Sequence, residues 1–229
     1  MKVQIKPVLN FQNPVNSLEN LMTIEQLAWA SPGENVSASK PKIAARIDSK
    51  QVVQLAITDD KPVGSQFAFR FNWNQDINIL TSWDEMTSFG WTNKVHIPNG
   101  NTGFLVGVGV IPKFRSIYFD HNKYQPVKFK ASELLIAYTL DALFFPKKEL
   151  PPVQTVIANA RVPFYHKKPE MKIDDYCNLR RVDGKLFDPV LRFHERMGAK
   201  IIKLCLFSME DAGSLNAGCW VQYLKPFKP

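Results

Sequence analysis

The sequence predicts an α+β fold, a mixed β-sheet with helices on both faces, and three observations predict it. Its apolar patterns run helix–helix–strand–strand–strand–helix–strand–helix–strand–strand. A strand–helix–strand run over residues 101–160 implies one parallel strand pair, because a helical crossover returns the chain in its original direction. A short helix marked at both ends, over residues 188–198, feeds a strand directly.

Taken in order, residues 16–30 carry Leu18, Leu21, Met22, Glu25 and Trp29 at helical spacing, with Ser17 placed to cap the helix and Ser31-Pro32-Gly33 to stop it. A second short helix is expected over residues 39–48. Residues 52–57 and 63–71 flank Thr58-Asp-Asp-Lys-Pro62, a hairpin pattern. Residues 72–100, rich in Asn, Asp, Thr and Trp, read as an irregular excursion, and residues 101–112 as the central strand. The apolar helix at 131–145 is stopped by Pro146, and a buried strand follows at 154–160. After a basic, irregular segment at 162–186 come the helix after Asp188 and strands at 200–207 and 218–223. The reading is one domain over 1–229, with its core at about 18–223 and insertions near 72–100, 113–130 and 162–186.

The helix after Asp188 is the most fully specified element. Asp188 can accept hydrogen bonds from the first free backbone N–H groups, Pro189 suits the first helical position, and Gly198 permits the left-handed residue that ends a helix. Val190, Leu191, Phe193 and Met197 form its apolar stripe, while Arg192, Glu195 and Arg196 are expected to face water. His194 lies beside Phe193 at the stripe's edge, where a polar side chain can reach a cleft. An imidazole titrating near neutral pH could protonate a leaving thiolate or enolate, or act as a base. The other reading is a helix-surface histidine tied to a carboxylate such as Glu195.

Composition bounds the function. With 229 residues, 45% hydrophobic and 22% charged, the chain can bury a substantial core. No apolar run approaches the roughly 20 residues that span a bilayer, and Met1-Lys-Val-Gln-Ile-Lys-Pro7 lacks the apolar centre of a signal peptide. Cys177, Cys205 and Cys219 are too few and too scattered for a disulfide framework or a zinc site. Buried free thiols and a cytoplasmic location are expected. The net charge of +8 allows acidic partners. The basic residues fall in small groups: Lys40/Lys42, Lys123/Lys128/Lys130, Lys147/Lys148, His166/Lys167/Lys168 and Arg180/Arg181. No nucleic-acid-binding signature accompanies them, so that function would rest on charge alone. A CoA phosphate group or an acidic acyl-carrier protein would use such a surface, and so would plain solvent.

The segment Phe193-His-Glu-Arg-Met-Gly198 resembles the last helix of the GCN5-related N-acetyltransferase (GNAT) superfamily, where an aromatic-Tyr-x-x-x-Gly run puts a Tyr near the acyl-CoA thioester. Here His194 takes the Tyr position. The wording from Arg192 to Ala199 is similar to the GNAT-like domains of polyketide loading modules and their stand-alone relatives, and the resemblance covers about 18–223. It implies three α/β/α layers and a mostly antiparallel sheet whose central parallel pair splays around a ligand cleft.

The resemblance also implies site residues. Backbone groups near Val108, Val110 and Ile111 would polarise a thioester carbonyl. A glycine-rich loop opening the following helix holds the CoA pyrophosphate in the superfamily. Aligned on Leu134-Leu135, that loop runs from Gln125/Pro126 to Ala131, with Phe129 at the first glycine position, Lys128 and Lys130 supplying charge, and Ala131 and Ser132 opening the helix. Decarboxylating members look to the His together with an N-terminal Trp, a Thr ending the preceding strand and a later Arg. His194 and Trp29 match as catalytic residues; Ala160 stands at the Thr position and Ser208 or Met209 at the Arg position. Arg161 and Arg180 are the remaining candidate carboxylate binders.

The function so implied is an acyl-thioester-binding acyltransferase, acting on acyl-CoA or an acyl-carrier protein in polyketide or related secondary metabolism. The alternatives are a catalytically reduced binding partner of a synthase and a decarboxylase of malonyl thioesters. Other residue patterns carry less. Asp59-Asp60 and Asp174-Asp175 read as solvent-facing turn pairs, and His96, His121, His166 and His194 lack metal-ligand spacing. Gly107-Val-Gly109 allows close approach of a ligand or a neighbouring strand. Trp73, Trp83, Phe89 and Trp91 either line an acyl or pantetheine pocket or form the excursion's own small core.

Overall fold

Seven strands share one sheet in the computed structural model, which describes residues 1–10, 14–31, 34–35, 37–147 and 150–228. The chain runs β1 (Gln4–Pro7), α1 (Pro14–Ala28), β2 (Ala30–Ser31), β3 (Glu34–Asn35), α2 (Lys40–Asp48), β4 (Val52–Thr58), β5 (Lys61–Phe71) and α3 (Trp83–Met86). It continues through β6 (Thr102–Val110), β7 (Tyr118–Phe119), β8 (Phe129–Lys130), α4 (Ala131–Phe144), β9 (Thr155–Arg161), α5 (Ile173–Asn178), α6 (Pro189–Arg196), β10 (Lys200–Cys205) and β11 (Gly218–Tyr223). The sheet order is β1-β4-β5-β6-β9-β11-β10, and β2–β3 and β7–β8 are separate ribbons. Among the described residues of the sheet, only β6 and β9 pair in parallel, joined through α4. This is the mixed, mostly antiparallel sheet the sequence predicts.

Local chemistry sets several boundaries. The β4–β5 turn places Asp59 and Asp60 at φ +47° and +59°, the primed two-residue turn that matches strand twist. Both side chains are exposed, as are Asp174 and Asp175. The start of α1 departs from expectation. Pro14 opens it, and Ser17 lies buried inside its first turns rather than capping it. Of the expected stop, Pro32 and Gly33 lie outside the described residues, as does Lys148 of the basic groups. Strand β1 had no sequence pattern to announce it, being four residues long and mostly exposed.

A bulge in β6 decides what the two faces of the sheet meet. The β5–β6 register shifts between Phe67 and Ala68, which pair with Gly107 and Leu105 and leave Val106 unmatched. One extra residue reverses which side of the sheet alternate positions face. Below the bulge, a Cβ on Gly103 would meet Leu143 of α4; above it, a Cβ on Gly109 would lie 3.2 Å from Ala28 and 3.3 Å from Trp29 Nε1. Thus α1 covers one face and α4 the other, and the glycines at 107 and 109 admit the end of a helix rather than a neighbouring strand. Leu191 of α6 and Met197, which follows it, pack in one cluster with Ile136 of α4 and Ala158 and Ala160 of β9.

Candidate active site

The register of β6 on β9 begins at Thr102↔Thr155 and ends at Leu105↔Ala158; beyond that point the strands part. A groove of about 2160 Å³ passes through the opening from one face of the sheet to the other. Backbone groups of β6 line it for a geometric reason. The Ile111 N–H donates to the Val63 carbonyl at 2.9 Å, so alternation along the antiparallel ladder turns the N–H groups of Val108 and Val110 toward the side β9 has vacated. The carbonyls of Val106 and Val110, on that side, accept from Trp83 Nε1 (3.2 Å) and Arg115 Nε (3.0 Å).

His194 reaches this groove from α6. Asp188 caps that helix, accepting from the N–H groups of Val190 (2.8 Å) and Leu191 (3.1 Å), and Gly198 ends it at φ +90°. The Tyr176 hydroxyl donates to the second oxygen of Asp188 at 2.9 Å, so the cap is itself held from α5. The imidazole is only 7% exposed, and its Nδ1 lies 2.6 Å from the Tyr223 hydroxyl on β11. Burial pushes the imidazole down to about 4 and the Tyr223 phenol up, so the ring is neutral at pH 7. The expectation of titration near neutral pH is corrected on that ground. Glu195 is not the partner of His194, since its carboxylate receives Arg180 at 2.9 Å. Arg192, Glu195 and Arg196 border the groove, with Arg192 donating to the carbonyls of Leu186 and Phe187.

Trp29 follows the last turn of α1 and lies on the opposite face, over Gly107 and Gly109. Its indole hydrogen-bonds Glu25, a carboxyl raised by burial. This arm of the groove also carries Lys42, Arg46, Trp83 and Phe89. The aromatic excursion therefore divides: Trp83 and Phe89 border the groove, while Trp73 is buried in the core and donates to the Asp76 carbonyl.

The α4 end of the groove departs most from the expected loop. Lys130 and Ser132 line it; Ile111, Lys128 and Ala131 do not. Ile111 and Ala131 are buried in the core, and Lys128 is exposed 3.4 Å from Asp120. Lys123 pairs with Asp141, so the expected lysine cluster is dispersed and only Lys130 reaches the groove. Phe129 is 2% exposed and packs on His121, Tyr124 and Phe227 with ring centroids 5.4, 5.9 and 5.6 Å away. Glu133, which the sequence reading missed, accepts the Lys130 N–H at 2.9 Å and pairs with Arg196 at 2.9 Å. A carboxylate three residues into a helix is an N-terminal capping signal that was available in the sequence.

Two arginines held as carboxylate binders are engaged. Arg161 grips Asp211 with two bonds of 2.6 and 2.5 Å. Burial alone would raise that carboxyl, but hydrogen bonds from Arg161 and Ser214 outweigh it and hold Asp211 below the usual range. Arg180 is spent on Glu195. Ala160 is buried at the end of β9, Met209 borders the groove, and Ser208 donates to Asn159 at 2.7 Å. Among the described residues no cluster of His, Cys, Asp or Glu could hold a metal ion, and no helix is long and apolar enough to cross a membrane.

No family model matches the chain. An uncharacterized N-acetyltransferase of Bacillus subtilis (strain 168), YkwB, is 24% identical over 213 residues, covering 92% of this chain and 85% of the relative. Among solved structures, the loading GNATL domain of CurA from Lyngbya majuscula superposes with a TM-score of 0.73 at 21% identity, covering 97% of this chain and 98% of that one. The GphF GNAT-like decarboxylase in complex with isobutyryl-CoA gives 0.72 at 21% identity, covering 96% and 98%. Malonyl-CoA decarboxylase from Agrobacterium vitis gives 0.68 at 13% identity, over 98% of this chain but 61% of that one. The splayed parallel pair, the helix order and these superpositions agree: the chain has the fold of the GCN5-related N-acetyltransferases, in a form similar to the GNAT-like CurA and GphF domains.

Proposed function

We propose that the protein binds an acyl thioester in this groove, presented as acyl-CoA or on the phosphopantetheine arm of an acyl-carrier protein, and transfers the acyl group. The setting would be polyketide or related secondary metabolism. One observation supports the reading: Val108, Val110 and His194 line a single groove, and the paired register of β6 and β9 ends at Leu105↔Ala158, before Val108 and Val110. A similar fold solved with isobutyryl-CoA supports the ligand class.

In this proposal the β6 N–H groups receive the thioester carbonyl and stabilise the negative charge that develops on its oxygen. Trp29 bounds the acyl group from the α1 face. The Tyr223 phenol keeps its proton and donates it in a hydrogen bond to Nδ1 of His194, which leaves the ring proton on Nε2. A neutral Nε2–H is a donor, suited to the carbonyl oxygen or to the departing sulfur; it is not a base. Calorimetric titration with acetyl-, malonyl- and isobutyryl-CoA and with acyl-loaded carrier protein tests the reading. Binding of none of them would sink it.

A second reading, a binding partner without turnover, is favoured by Ala160 at the Thr position and by the pairing of Arg161 with Asp211. These same features count against malonyl decarboxylation, since Ala160 carries no hydroxyl and Arg161 is held by Asp211. Mass spectrometry of malonyl-CoA incubated with the protein separates the three outcomes: unchanged, decarboxylated or transferred.

A further inference from the structure

Cys177 and Cys219 stand 42 residues apart in the chain, yet their sulfur atoms meet at 2.7 Å. Both are free thiols, 1% and 0% exposed, and neither borders the groove. Cys177 sits on α5, within the segment the sequence reads as irregular, and Cys219 sits on β11, opposite Ala160 of β9. The third cysteine is separate: the Cys205 thiol donates to the Thr81 carbonyl at 3.4 Å. Filling a core position requires one small apolar residue, not two thiols facing each other across two elements.

We infer that Cys177 and Cys219 are a redox pair that closes to a disulfide and staples α5 to the sheet. With glutathione disulfide as oxidant, one protein thiolate attacks it, forms a mixed disulfide and expels one glutathione thiolate. The second cysteine thiolate then displaces the other glutathione. The protein gives up two protons and two electrons, and glutathione disulfide becomes two glutathione molecules. The hydrogen bond shared with Cys177, with burial, holds the Cys219 thiol well above its ordinary range. The exchange therefore runs when α5, a helix of six residues, opens from the sheet. The staple would brace the candidate site from two sides, because α5 also supplies Tyr176 to the cap of α6 and β11 also supplies Tyr223 to His194.

The test uses the full chain, reduced and then exposed to glutathione disulfide, denatured, alkylated with iodoacetamide, digested and mapped by mass spectrometry. Peptides of Cys177 and Cys219 should be joined, with Cys205 alkylated, and the same link should form in the Cys205→Ser variant. The melting midpoint of the oxidised protein should rise by on the order of 5 °C over the reduced form. Alkylation or glutathionylation of both cysteines without a link, a link through Cys205, or a link that leaves the midpoint unmoved would overturn the inference.

Discussion

The two ends of the groove are built from similar parts and arranged to opposite effect. At the α6 end, Asp188 takes up the first N–H groups of the helix so that His194, two turns on, is presented to the opening with Tyr223 behind it. At the α4 end, Glu133 performs the capping and Phe129 fills the place where the superfamily loop has glycine. The first arrangement aims a polar group at the ligand space. The second sets the protein's own carboxylate at the positive end of a helix, with an aromatic ring packed into the core beside it. On the proposed function, a groove made this way would hold an acyl-pantetheine at its middle and leave the start of α4 to Glu133 rather than to a pyrophosphate. If the substrate is delivered on a carrier protein, as proposed, Lys123 and Lys128, paired with Asp141 and Asp120, would steer it less than a free cluster.

The sharpest way to break the contrast is at the α6 end. His194→Ala should reduce acyl transfer by about 10²–10⁴-fold with little change in substrate binding, measured as kcat against KM. Tyr223→Phe should cost about tenfold, an order-of-magnitude expectation for a lost positioning hydrogen bond. Unchanged turnover in His194→Ala would make this end scaffold as well. At the other end, Phe129→Ala should lower stability by about 3–5 kcal/mol in denaturant unfolding, as for a large core aromatic. A loss below about 1 kcal/mol would show Phe129 to be a movable gate, and the α4 end would no longer be closed.

What was legible in the sequence follows from distance along the chain. Asp188, Pro189 and Gly198 mark α6 within a few residues of one another, so its ends and the placement of His194 were readable, as was the β6–α4–β9 run. The supports of that helix were not. Tyr223 is 29 residues from His194, and Tyr176 is 12 from Asp188. No local pattern encodes such pairings. The bulge at Val106 was equally hidden, because it arises from register against β5 rather than from the β6 sequence, and it is what turns Gly107 and Gly109 toward α1. Alignment put Phe129 at a glycine position; its burial against Tyr124 and Phe227 depends on segments that come together only in the fold.

Burial of His194 also gives the α6 end a pH signature. The folded value lies near 4 and the ordinary value is 6.5, so between those limits the unfolded chain binds a proton that the folded chain refuses. Stability should therefore rise with pH across that window and fall as pH drops through it, by roughly 3 kcal/mol in total from this residue. His96 and His121, also lowered by burial, add slopes of the same sign. Comparing His194→Gln with the parent by denaturant unfolding at pH 4 to 7 isolates the contribution. A parent and variant with parallel pH profiles would mean that His194 titrates in contact with solvent, and the neutral-donor role would fail.

The smallest effect should come from the α4 end, and it tests most directly whether that end has given up phosphate binding. Glu133→Gln keeps the size and the acceptor that cap the Lys130 N–H, but removes the negative charge and releases Arg196, whose guanidinium borders the groove. A helix terminus and a nearby charge exchange about 0.3–1 kcal/mol, so affinity for acyl-CoA should rise two- to fivefold. Affinity for the matching acyl-pantetheine, which carries no pyrophosphate, should stay constant. The gain should fade as salt shortens the Debye length from about 8 Å at physiological strength to 3 Å at 1 M. Paired calorimetric titrations of the two ligands, at low and high salt, read all of this at once. Equal gains for both ligands would locate the effect elsewhere than on phosphate. A parent protein that already prefers acyl-CoA over acyl-pantetheine by a hundredfold would mean that the capped end of α4 still holds the pyrophosphate, and the contrast between the two ends would collapse.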